Sequence, residues 1–246
     1  MQVTVSSGKL KKKGKIKIKS LISTILIFLF AIISTAILIS EKKKLIVYEE
    51  RSFYFVCVGA SKKESNLEAK KELLKNLGGA NIVYESNGNY NLVANVYLDL
   101  ESATEIKNNL STYFDDVSVL TIKNKTITKQ NIKKIKKIEE CKKFMKFMYN
   151  LTNEFYKLQL DYLAGNVSEG KFLANVVEKR LNLEKLCSNI SGEDDISVHL
   201  RGFGEMILLQ TTNFLSGFSI AGTKQNYICN YFVGFFINYV QMFDSL

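Results

Sequence analysis

Residues 51–123 read RSFYFVCVGASKKESNLEAKKELLKNLGGANIVYESNGNYNLVANVYLDLESATEIKNNLSTYFDDVSVLTIK, and the changes of period along this stretch decide the fold. Arg51 to Gly59 is aromatic and β-branched, which predicts a strand. Glu64 to Leu77 sets Leu67, Ala69, Leu73, Leu74 and Leu77 at helical spacing, and Gly78-Gly79 stops the helix. Asn81 to Glu85 is a second strand, and Asn87-Gly88-Asn89 is a hairpin turn because Asn and Gly tolerate positive φ. Tyr90 to Leu98 is a third strand. Asp99, or Glu101 and Ser102 just after it, can cap a second helix with Ala103, Ile106 and Leu110 on its inner face. Val117 to Ile122 is the fourth strand. The order is βαββαβ, a ferredoxin-like arrangement in which two helices cover one face of a four-stranded antiparallel sheet.

Strand side chains alternate between faces, so each strand divides into two sets. Val56, Val58, Leu92, Ala94 and Val96 are expected to face the helices, with Leu67, Leu74, Ile106 and Leu110 completing the core. Phe53, Phe55, Cys57, Tyr84, Asn91, Val93 and Asn95 then share the opposite face. Two readings of that second face stay open. Aromatic rings stack on sugar faces and amides both donate and accept hydrogen bonds, which suits a neutral glycan. Equally, a face with two phenylalanines suits packing against another domain.

The residues also resemble a known family. The strand ending in Val58-Gly59-Ala60, Ser65 and Ala69 in the first helix, the hairpin before Tyr90, and Ser102-Ala103 opening the second helix are similar to a SPOR domain. The resemblance covers residues 46–123. It implies binding of peptidoglycan glycan strands on the second face, by Phe53, Phe55, Cys57, Tyr84, Asn91, Val93 and Asn95. The whole layout (tail, apolar segment, α/β domain, helical region) resembles the stage II sporulation protein B type of endospore formers. That implies action at the division or sporulation septum, with septal or sporulation proteins as further partners. Three positions depart from the family pattern. Cys57 stands where Gln is common, Asn91 where Arg often follows the aromatic, and Asn95-Val96-Tyr97 where a Gly-Pro-Phe-like turn is expected.

Outward from this stretch, the N-terminus sets the expected compartment. Seven lysines lie between Lys9 and Lys19, and Leu21 to Ile39 follows without a charge. At ~1.5 Å per residue this run spans a hydrocarbon core of roughly 30 Å. Residues 1–19 are therefore read as a basic cytoplasmic tail and 20–40 as a transmembrane helix, with the cell membrane as a partner and the rest extracytoplasmic. Ser34 and Ala36 also have signal-peptidase spacing, but the apolar run continues to Ile39, which favours an uncleaved anchor. Seven of the ten net positive charges lie in this tail, so the remainder is not a globally basic nucleic-acid binder. The chain has no Pro and no Trp and is rich in Lys, Ile and Asn, the residue usage of a low-GC bacterium.

Residues 124–246 read as an all-α bundle. Ten lysines between Lys123 and Lys146, with Ile132, Ile135 and Ile138 every third residue, predict a basic amphipathic helix continuing to Leu163. Its partner is either anionic polymer or membrane surface, or it is simply a solvated face. Helices at about 169–189, 196–218 and 224–243 follow. The last is apolar enough to raise a second span, but Asn226, Asn230, Asn238 and Gln241 favour a buried bundle helix. The class is thus α+β. No catalytic residue, metal site or cofactor is expected. His199 is the single histidine, Glu193-Asp194-Asp195 reads as a helix cap, and Cys57, Cys141, Cys187 and Cys229 lack metal-ligand spacing. The four thiols are read as buried and free, with disulfides as the alternative.

Overall fold

The computed structural model describes residues 46–48, 50–125, 127–128 and 138–244. The transmembrane reading of 20–40 and the residues Ile132 and Ile135 lie outside them. Among the described residues no helix is long and apolar enough to cross a membrane. Val47–Leu246 form one compact unit. In chain order its elements are β1 (Ile46–Tyr48), β2 (Ser52–Ser61), a 3-10 turn (Glu64–Leu67), α1 (Glu68–Asn76), β3 (Ile82–Ser86), β4 (Asn89–Tyr97), α2 (Leu100–Leu110), β5 (Ser118–Lys123) and β6 (Ile127–Thr128). The helices α3 (Ile138–Leu163), α4 (Glu169–Asn189), α5 (Asp195–Gly217) and α6 (Lys224–Asp244) follow.

β2 to β5 form an antiparallel sheet in the order β3-β4-β2-β5, the strand order of a ferredoxin-like fold; β1 and β6 make a small sheet of their own. The β3–β4 hairpin turns on Asn87 (φ 52°) and Gly88 (φ 68°), the pair of positive-φ residues that a tight hairpin needs. Gly78 at φ 82° ends α1, the left-handed position glycine favours after a helix. Asp99 caps α2, its Oδ1 accepting from Ser102 N at 2.7 Å. That bond chiefly holds the Asp99 carboxyl below its ordinary value.

The helix-facing core divides in two. Val58, Leu67, Leu74, Leu92, Ala94 and Phe114 form one cluster, and Val56, Tyr97 and Ala103 the other. Ile106 packs on the second, and Leu110 touches both. Val96 departs from expectation: it lies in the core on the opposite face. The reason is a bulge. Val56 pairs with Asn95 but Cys57 pairs with Val93, so Ala94 is an extra residue on β4. A second shift between Cys57 and Ala60 compensates on β2. The bulge breaks the period of two, leaving Val93 and Val96 on one face and Ala94 and Tyr97 on the other.

The helical layer also differs from expectation at its start. Lys123 ends β5 and Ile127–Thr128 is a strand, so the described part of the first long helix begins at Ile138. α6 is the central element. Its buried residues include Ile228, Tyr231, Phe232, Phe235 and Tyr239 on one side and Asn226, Cys229, Val233 and Val240 further round, so burial wraps more than half of the helix, as expected of one packed between two layers.

Candidate functional site: the second face of the sheet

The second face of the sheet is covered by α3 and α6. Phe53, Phe55, Cys57 and Val93 have no exposed surface, and Asn95 retains 8%. Phe53 sits against Phe236 and Tyr239 of α6, with ring centroids 5.8 and 5.6 Å apart. Phe55 packs on Tyr84 at 5.4 Å. Phe53, Phe55, Cys57 and Val93 share one face, as strand parity required; Asn95 does not, because the bulge sets it beside Val56 and its Nδ2 turns to the Tyr97 hydroxyl at 3.3 Å on the helix-facing side. That face is not open to a ligand at Phe53, Phe55, Cys57 or Val93, which corrects the expectation of an open binding surface there, and Asn95 is not on it. The physical reason is the apolar content of α6, which needs a partner on its sheet side as well as on its bundle side. On the bundle side Phe155 meets Tyr231, Phe232 and Phe235 at 4.9–5.9 Å.

Polar groups stitch the two layers. Asn230 Oδ1 accepts from Asn81 N at 2.9 Å, Asn226 Nδ2 donates to the Gly79 carbonyl, and Asn230 Nδ2 donates to Asn226 Oδ1 at 3.1 Å. Gln159 of α3 donates from Nε2 to Asn95 Oδ1 at 3.0 Å. Tyr156 donates to Asp99 Oδ2 at 3.0 Å. The Arg51 guanidinium lies 3.8 Å over the Tyr149 ring and donates to the Tyr149 carbonyl and to Thr152 Oγ1. Buried polar groups need such partners, so the amides of α6 answer to this interface.

Tyr84 and Asn91 remain. They lie near the hairpin end of the sheet, beyond the fully buried strip, and both are half-buried. The Asn91 carboxamide is already engaged, Nδ2 donating to the carbonyls of Tyr84 (3.2 Å) and Asn89 (3.1 Å). The half-exposed Tyr84 and Asn91 are what this end of the sheet offers to a ligand. The seven candidate residues thus divide into four sealed beneath the helical layer, Asn95 turned to the other side of the sheet, and two at an open margin.

The other polar groups singled out in the sequence are engaged elsewhere. His199 packs edge-on against Phe203 at 4.7 Å. Asp194 caps α5, accepting from Ser197 N (3.0 Å) and Ser197 Oγ (2.8 Å). All four cysteines are free and buried. Burial pushes the thiols of Cys57, Cys187 and Cys229 up to about 12, so none of the three is an activated nucleophile. Among the described residues no cluster of His, Cys, Asp and Glu could hold a metal ion.

No protein-family model and no curated protein matches this chain. Among solved structures, the chain is similar to the peptidoglycan-binding domain of the B. subtilis cell wall lytic enzyme CwlC, known from a solution structure. The match has 20% identity and a TM-score of 0.27, and covers 30% of this chain and 95% of that domain.

Proposed function

We propose that this protein is a non-enzymatic component of the bacterial cell envelope in which a SPOR-like α/β layer serves as a scaffold for a helical layer. The observation that carries this reading is the complete burial of Phe53, Phe55, Cys57 and Val93 beneath the helical layer. A glycan strand cannot reach those side chains without separating two layers joined by aromatic packing. Partner proteins then meet the outer surface of the unit. Leu181 of α4 and Val198, Met206 and Leu209 of α5 are exposed, the kind of side chain found at protein contacts. The lysine-flanked apolar segment at 20–40 supports a membrane anchor with the folded unit outside the cytoplasm. The SPOR resemblance points to the division or sporulation septum as the place of action.

A second reading is glycan binding at the open margin, favoured by the half-exposure of Tyr84 and Asn91. Cosedimentation of residues 47–246 with amidase-treated sacculi separates the two. The scaffold reading expects the protein to stay in the supernatant. Sedimentation that disappears in a folded Tyr84→Ala/Asn91→Ala variant would replace it with margin binding to peptidoglycan.

A further inference from the structure

Between the α/β layer and the helical layer lies a cavity of about 470 Å³, within the size range of small-ligand sites. Its walls are largely aliphatic, Leu74, Ile106, Leu110, Leu160 and Leu163 with Ala94, while Ser102 and the exposed Gln225 add polar groups to the lining. Asn95, Tyr97 and Cys229 also line it, and all three are at least nine-tenths buried. The polar pair is held in one orientation. Asn95 Oδ1 accepts from Gln159 Nε2 (3.0 Å) and from Val96 N (2.9 Å), which turns Nδ2 toward the Tyr97 hydroxyl at 3.3 Å. Gln159, itself fully buried, reaches Cys229 Sγ at 3.8 Å and leaves its own Oε1 without a hydrogen-bond partner among the described residues. Nδ2 carries two hydrogens and only one reaches Tyr97; the Tyr97 hydroxyl accepts that bond and keeps its own proton to donate. The cavity therefore presents two buried N–H and O–H donors at one place in an aliphatic wall.

The charge around the opening narrows the ligand further. Glu105 lines the cavity and no Lys or Arg does. A carboxylate or phosphate would meet a like charge and no cation to compensate its desolvation. We propose that this cavity binds a neutral aliphatic molecule bearing a single oxygen, such as a medium-chain alcohol, with the oxygen accepting from Asn95 Nδ2 and Tyr97 Oη and the chain lying along the leucines. This site is independent of the scaffold reading above.

The test uses the full chain in lipid nanodiscs, titrated calorimetrically with 1-octanol and with octanoate. Partition into lipid is the same for every variant and is subtracted. The wild-type chain is expected to bind octanol saturably with 1:1 stoichiometry. Octanoate should bind about tenfold more weakly or less, the cost of an uncompensated charge. Ala164→Trp, at an exposed position on the cavity rim, should abolish octanol binding while leaving the circular dichroism spectrum intact. Glu105→Gln, also at an exposed position, should narrow the gap between alcohol and carboxylate. Absence of saturable octanol binding would overturn the proposal, as would octanol binding unaffected by Ala164→Trp or octanoate binding as tight as octanol. The last outcome would make the cavity a nonspecific apolar gap.

Discussion

Replacing Phe53 with alanine removes the ring that joins the sheet to α6. Phe53 has no exposed surface and touches Phe236 and Tyr239 at centroid distances of 5.8 and 5.6 Å. Loss of a fully buried phenylalanine costs about 3–5 kcal/mol in transfer and cavity terms. The tilted pair with Phe236 and the edge-to-face pair with Tyr239 favour the upper half of that range, each adding roughly 0.5–1.5 kcal/mol beyond burial. For a unit of this size a kilocalorie corresponds to about 2–4 °C, so a loss of about 4–5 kcal/mol should lower the melting temperature by about 8–20 °C. Urea unfolding of residues 47–246, followed by far-UV circular dichroism, measures the change directly. An open glycan platform makes a different forecast, because truncating an exposed ring on a sheet surface changes stability by about 0.5 kcal/mol or less. A near-neutral Phe53→Ala would therefore refute the sealed face and return Phe53 to the list of ligand contacts.

Three further outcomes follow from the same structure. Leu74→Ala, in the helix-facing core, should destabilise by about 2–5 kcal/mol, and a change near zero in urea unfolding would mean that α1 does not pack there. Asp99→Ala should cost about 0.5–2 kcal/mol through loss of the α2 cap. Because the Asp99 carboxyl is held below its ordinary value of 3.8, its contribution is present above that pH and lost as pH falls through the lower folded value. The wild-type to Asp99→Ala difference should accordingly shrink only in strongly acidic solution; a difference that vanished between pH 5 and 7 would contradict the cap. Cys57, Cys187 and Cys229, with thiols raised to about 12 by burial, should resist a thiol reagent at pH 8 until urea unfolds the chain. Rapid labelling of any of them in the native state would show that its site opens.

The α/β layer was legible because its signals are local. The Asn87-Gly88 turn, the Gly78 stop and the Asp99 cap each act within four residues, and the aromatic and β-branched runs marked the strands on either side. Parity along β2 correctly put Phe53, Phe55 and Cys57 on one face. It failed on β4 at Asn95 and Val96, which exchange faces, because the extra residue at Ala94 is a property of pairing with β2 and leaves no mark in the β4 sequence itself. What covers the second face was not decided by the sheet at all. The signal lay far along the chain, in α6, where Val233 and Val240 extend the apolar stripe of Tyr231, Phe232, Phe235, Phe236 and Tyr239 past half of the helix. A helix at the margin of a bundle needs one apolar stripe; this one has enough for two layers. Its asparagines at 226 and 230 were legible as polar, but their partners, the Gly79 carbonyl and the Asn81 amide, are more than 140 residues away. The cavity beside Asn95 was equally hidden, since it exists only where both layers meet.

Whether the second face of the sheet is internal is read out by proton NMR on residues 47–246. A sealed face gives nuclear Overhauser contacts from the Phe53 ring to the rings of Phe236 and Tyr239, and a Phe53 resonance unaffected by a soluble paramagnetic agent. Absence of those contacts, together with paramagnetic broadening of Phe53 and Phe55 in the folded protein, would contradict it.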